Sequence, residues 1–136
     1  MKVTVDTNVL VRAVMLDDTV QARAAAKLLR EANSIAIALP SLCEFVWVLL
    51  RVYKLQSADV AQALRVLIAA SNVVVNRPAV EAGLAMLTAG GDFADGVIAF
   101  EGQWLGGETF LSFDKHAVTL LAAQGKSARL LETESR

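Results

Sequence analysis

One cysteine, two prolines, one histidine and one tyrosine among 136 residues leave several chemistries without material. With Cys43 alone, the chain has no internal disulfide and no thiolate-based zinc cluster. Cys43 reads as a small buried hydrophobe. A lone His116 excludes a ribonuclease that pairs two imidazoles as acid and base, and its place two residues past Asp114 reads as a first-turn surface position. An excess of positive charge is also missing: 13 basic against 14 acidic residues give a formal charge of −1, not the broad basic footprint of a nucleic-acid binder. A polyanionic substrate would have to be held by metal ions and by local cations such as Arg12, Arg77 and Lys115, each of which reads first as a solvated surface charge. The longest apolar run, Ile35 to Leu50, is interrupted by Pro40, Ser41 and Glu44, so no bilayer-spanning helix is expected. The N-terminus lacks a signal-peptide pattern, because a strand and then Asp6 stand where an apolar segment would be, and a cytoplasmic location is expected.

What is present is apolar bulk. Hydrophobic residues make up 55% of the chain, above the ordinary globular range, with Ala, Val and Leu supplying much of the excess. That suits a sheet covered on both faces, or a protein that hides further surface against a partner. The length fits a single domain over residues 1–136 that buries about two-thirds of the surface of its unfolded chain.

The organising stretch is Lys2-Val3-Thr4-Val5-Asp6-Thr7-Asn8: a short, largely β-branched strand that ends on an acid, a hydroxyl and an amide. In open α/β folds ligands bind beyond the carboxyl ends of such strands, so Asp6 stands where chemistry is done, with Thr7 and Asn8 able to cap the next helix or orient a ligand. Downstream, Val9 to Val14 reads as a short helix, and Thr19 as the cap of a longer one through Glu31. Ile35 to Leu39 reads as a strand closed by Pro40, and Ser41 to Tyr53 as a helix apolar around most of its circumference. A helix from Ser57 to Ala70, a strand Val73 to Val75, a helix Ala79 to Ala89 ended by Gly90-Gly91, and a helix from Asp92 to Trp104 follow. The strand Thr109 to Ser112, a helix opened by Asp114 and a strand Ala128 to Leu131 complete the pattern, with 132–136 expected as a frayed tail. Strands alternating with helices imply an α/β fold with helices on both faces of a parallel sheet.

Each acid has an ordinary explanation. Ser41 and Glu44 match the Ser-x-x-Glu capping box, Asp92 and Asp95 approximate it, and Asp114 is a natural N-cap. Trp47 and Trp104 read as core or interface residues rather than base-stacking platforms. Taken together the acids say more. Helix starts that follow parallel strands share one edge of the sheet, so Asp6, Glu44, Asp95 and Asp114 are expected to converge, with Asp92 beside Asp95 on one helix face. Crowded carboxylates repel, and a divalent cation removes that penalty. Hard oxygen ligands without Cys or ligating His point to Mg²⁺ or Mn²⁺, and the chemistry that fits is metal-assisted phosphodiester hydrolysis. Thr7 and Ser112 could hydrogen-bond the acids or metal-bound water.

Val5-Asp6-Thr7-Asn8-Val9-Leu10, Glu44 at the head of an apolar helix, Asp92-Phe93-Ala94-Asp95-Gly96-Val97-Ile98-Ala99 and Ser112-Phe113-Asp114-Lys115-His116-Ala117 together resemble the four motifs of PIN-domain ribonucleases. The likeness is greatest to the small VapC-type toxins of prokaryotic toxin–antitoxin pairs. The resemblance implies a Rossmann-like, three-layer α/β/α sandwich around a central parallel sheet of about five short strands. It also implies a Mg²⁺- or Mn²⁺-dependent endoribonuclease that acts on RNA, forms a homodimer and is inhibited by a cognate, VapB-like antitoxin. Asp6, Glu44, Asp95 and Asp114 match the family's acidic quartet, Asp92 is an additional acid, and Ser112 stands where many members have Thr.

A non-catalytic alternative is a phospho-acceptor receiver module, which also gathers acids at strand ends. Receivers pair acids near the first strand and place a Lys after the last, and Asp6-Thr7-Asn8 does not follow that placement.

Overall fold

The computed structural model describes residues 1–133, so the last three positions of the expected frayed tail lie outside the described residues. The chain is α/β: five short strands, all in parallel pairings, alternate with seven helices among the described residues. They fall into two compact units that divide at Asn76 and Arg77.

The first unit holds strand β1 (Lys2–Thr4), helices α1 (Thr7–Met15) and α2 (Thr19–Glu31), strand β2 (Ser34–Ala36), helices α3 (Leu39–Arg51) and α4 (Ser57–Ala69), and strand β3 (Val73–Val74). The sheet order is β1-β2-β3, with Val3 opposite Ile35 and Ile35 opposite Val73. Each crossover carries two helices, whose apolar faces close over the sheet. The fully buried side chains of this unit include Leu10, Ile35, Leu42, Phe45, Leu49 and Leu64.

The second unit holds helices α5 (Arg77–Thr88) and α6 (Phe93–Trp104), strand β4 (Phe110–Ser112), helix α7 (Lys115–Ala123) and strand β5 (Ala128–Leu130). β4 and β5 form a two-stranded parallel sheet, so the strands among the described residues lie in two sheets rather than one of five. Buried side chains of this unit include Val80, Leu84, Phe93 and Val97, and Met86, Ala117 and Leu121 form a cluster covered by Ala99, Phe110, Leu120 and Ala128.

Several helix starts differ from the sequence reading, and each difference has a local cause. α3 begins at Leu39, not Ser41, with Pro40 in its first turn, where a preset φ and a missing N–H cost nothing. Ser41 and Glu44 therefore form no capping box, and the start of α3 has no side-chain cap. α2 is capped by Asp18 rather than Thr19: the Asp18 carboxylate accepts from the Gln21 N–H at 3.0 Å. Asp6, not Thr7 or Asn8, caps α1.

A polar cluster fastens the end of α1 to the end of α3. Arg12 donates through Nη1 to Asp17 at 2.9 Å and through Nε to Gln21 at 2.8 Å, and the Tyr53 hydroxyl donates to Asp17 at 2.7 Å. Arg12 is thus an ion-pair partner rather than a free solvated charge. The Tyr53 hydrogen bond, with Arg12 beside it, holds the Asp17 carboxyl below its ordinary range. A carboxyl whose pKa is depressed by folding stabilises above its unfolded value and loses that contribution as pH falls through the folded one. Tyr53→Phe is therefore expected to melt a little below wild type at neutral pH. Thermal melts should show the gap shrinking as the pH falls below about 4 and closing only beneath the depressed folded value, where Asp17 is neutral in both states.

Candidate active site

In the first unit the acids sit at the carboxyl edge of the parallel sheet. β1 runs into Val5, which is buried, and the chain turns at Asp6, whose Oδ1 accepts from the Val9 N–H at 3.3 Å as the N-cap of α1. Thr7 is the first residue of α1 and donates from Oγ1 to Glu44 Oε2 at 2.9 Å, with the Ser41 carbonyl at 3.5 Å. Glu44 lies well inside α3, past the turn where it could bond free amides. Thr7 therefore joins the element that carries Asp6 to the element that carries Glu44. Asn8 is exposed and lines a hollow of about 320 Å³ with Val9, Arg12, Gln21, Ala24, Ala25 and Leu28.

In the second unit Asp92 and Asp114 are both within electrostatic reach of Asp95. Asp92 caps α6, accepting from the Ala94 N–H at 2.9 Å, and Asp95 follows in the first turn. Asp114 caps α7 with Oδ1 accepting from His116 N–H at 2.9 Å and Ala117 N–H at 3.2 Å, while Ser112 Oγ accepts from the Asp114 N–H at 2.9 Å. Partial burial, then the charges of Asp92 and Asp114, push the Asp95 carboxyl above its ordinary range.

α6 does not follow a strand; it follows α5 through the turn at Gly90, whose φ of +95° suits glycine. The common-edge argument therefore does not explain how Asp92 and Asp95 reach Asp114. His116 supplies part of the answer: its ring Nε2 lies 3.0 Å from the Gly90 carbonyl, so an Nε2–H donor ties the first turn of α7 to the α5–α6 turn. Nothing in the sequence marks this bond, which spans 26 positions. Close packing of the two helices supplies the rest, since Gly96 lies directly against the Ala82 carbonyl.

The family model of the PIN domain matches residues 3–120. The chain belongs to the PIN domain family. PIN domains are generally nucleases and generally depend on a divalent metal. No curated protein matches this PIN domain significantly. Its matched span takes in Asp6, Glu44, Asp95 and Asp114.

The carboxylates fit a hard divalent ion by donor type, and the crowding around Asp95 is the kind that a cation relieves. Among the described residues no three His, Cys, Asp or Glu side chains form a group that could hold an ion as they stand. Asp6, Asp92 and Asp114 each turn their carboxylate onto amides of their own helix start instead.

Thr7→Val should keep the fold and release Glu44. Partners that orient a ligating carboxylate typically contribute 10–100-fold to metal affinity, so if Glu44 holds a divalent ion, a titration with Mn²⁺ should read a loss of about 10-fold. Unchanged affinity would show that the Thr7–Glu44 bond only fastens α1 to α3.

Proposed function

We propose that this PIN domain, one functional unit over residues 1–136, is a Mg²⁺- or Mn²⁺-dependent endoribonuclease that hydrolyses RNA phosphodiester bonds as the toxin of a type II toxin–antitoxin pair. The observation that carries the reading is the crowding of Asp92, Asp95 and Asp114, with Asp95 held against its own ionisation. Asp6, Glu44, Asp95 and Asp114 are the proposed catalytic and metal-holding acids, and Thr7, Asn8, Asp92 and Ser112 support them. When bound, the metal supplies hydroxide at neutral pH and steadies the charge on attacking and leaving oxygens. The protein's part is to fix the carboxylates on helix starts, where amide donors orient them, and to keep them open to solvent: Asp6, Glu44, Asp92 and Asp114 are all exposed.

Purified protein incubated with a panel of tRNA, rRNA and mRNA, with and without Mn²⁺, tests the activity directly. Cleavage that needs the metal supports the reading, and cleavage undiminished by excess chelator overturns it.

A cytoplasmic site of action is part of the proposal; among the described residues no helix is long and apolar enough to cross a membrane. The cognate antitoxin is proposed to reach the acids with a basic or apolar arm, placing Arg or Lys among them. Homodimerisation is supported by Trp47, Val52 and Val66, all more than half exposed on or beside α3 and α4. Sedimentation at micromolar concentration should give twice the monomer mass, and Trp47→Glu should shift it toward the monomer. A wild-type monomer would sink this part of the proposal.

A further inference from the structure

We infer that the outward face of the β4–β5 sheet is a seat for single-stranded RNA, with Phe113 stacking on a base and Arg129 meeting the neighbouring phosphate. The inference deepens the ribonuclease reading and rests on it.

Burial alternates along both strands. Phe110, Ser112, Ala128 and Leu130 are half-buried on the core side, whereas Leu111 and Arg129, cross-strand partners, are exposed. The same alternation carries past the strand ends to Phe113, 68% exposed, and Leu131, 45% exposed. A phenylalanine this open on a sheet costs hydrophobic free energy unless something covers it.

Its backbone is rigidly held. The Ser112 carbonyl accepts from the Leu131 N–H at 2.7 Å, and the Asp114 N–H donates to Ser112 Oγ at 2.9 Å, so the residues on either side of Phe113 are both fastened. Asp114 follows immediately, within electrostatic reach of Asp95. A nucleotide stacked on Phe113 would therefore lie next to the carboxylates proposed to cut it.

Charge separates the two ends of the face. An open hollow of about 360 Å³ is lined by Phe113, Leu130, Leu131, Glu132 and Thr133. Among the described residues its one charged group is Glu132, which repels a phosphate but accepts a hydrogen bond from a base amine. Arg129 makes no ion pair among the described residues and is the cation of the other end. An aromatic platform beside a cation is how single strands are held without sequence readout. A protein partner fits less well, because two aliphatics, one ring and one guanidinium fall far short of the roughly 20–30 residues a side of a stable interface.

The test is fluorescence anisotropy with a short labelled single-stranded RNA in excess chelator, so that binding is read without cleavage, together with Mn²⁺-dependent kinetics on the same RNA. Phe113→Ala should weaken binding roughly 10-fold or more, with Phe113→Trp retaining it. Arg129→Gln should weaken binding and lower the salt slope by about 1. In the kinetics the Phe113→Ala loss should fall on KM. If wild type cleaves RNA while Phe113→Ala and Arg129→Gln bind as wild type does, this inference fails alone and the nuclease reading stands. If wild type neither binds nor cleaves, both fall. A change in sedimentation mass for Phe113→Ala with unaltered RNA affinity would make the face a protein interface and overturn the proposal.

Discussion

Asp95→Asn is expected to lower RNA cleavage by about 1,000-fold or more while making the metal-free protein more stable at neutral pH. The first part follows from the several kcal/mol of charge stabilisation that a catalytic metal supplies, at about 1.4 kcal/mol per decade of rate. The second follows from the raised Asp95 pKa, caused by desolvation and by the charges of Asp92 and Asp114. A carboxyl raised by folding binds its proton more tightly in the folded state, so folding is penalised as pH rises through the Asp range and remains penalised above it. Asparagine carries no such penalty. Melting without metal should place the variant above wild type at pH 7, with the difference vanishing below about pH 4. Added Mn²⁺ should then raise the wild type and leave the variant where it was, because a ligand stabilises only the state that binds it. A variant that melts no higher than wild type, beside a wild type indifferent to Mn²⁺, would contradict the crowding argument.

Gly96→Ala should lower stability by about 2 kcal/mol, equivalent to roughly 5–10 °C in Tm. A Cβ at this position would stand 2.3 Å from the Ala82 carbonyl oxygen and 2.9 Å from Gly83 Cα. Both are backbone atoms and cannot rotate away, so α5 and α6 must part. Alanine's helix propensity returns about 1 kcal/mol, which does not offset a contact this short. Cleavage should fall as well, since Asp95 is the preceding residue and moves with α6. Gly102, also in α6, has open space where its Cβ would be, so Gly102→Ala should be neutral or slightly stabilising. Equal melting temperatures for the two variants would refute the close-approach account.

The sequence shows the alternation of parallel strands and helices because the apolar periodicity is strong in the longer segments. It shows edges poorly where strands are only two or three residues long: Val73–Val74 is too short for any alternation to be read. Pro40 misleads, since a proline after an apolar run closes a strand as readily as it opens a helix, and only the fold reveals the second use. Moving the start of α3 to Leu39 removes the capping explanation for Glu44 and leaves Thr7 as its partner. The acids were legible one by one, as residue types at helix starts. That Thr7 would bond an acid was legible too, but not that the acid is Glu44, 37 positions away. The outward face of β4 and β5 was equally hidden, since Leu111 and Phe113 look like core residues until the burial pattern is known.

That three of these acids are also the N-caps of their helices decides how the site can be dissected. Asparagine caps a helix about as well as aspartate, so Asn at 6, 92 or 114 removes one negative charge while the helix keeps its first bonded amides. Alanine at the same positions removes charge and cap together, at about 1 kcal/mol of stability each, and a silent Ala variant cannot separate a dead centre from a frayed helix. An engineer who wants an inactive but intact copy of this PIN domain should therefore reach for amides.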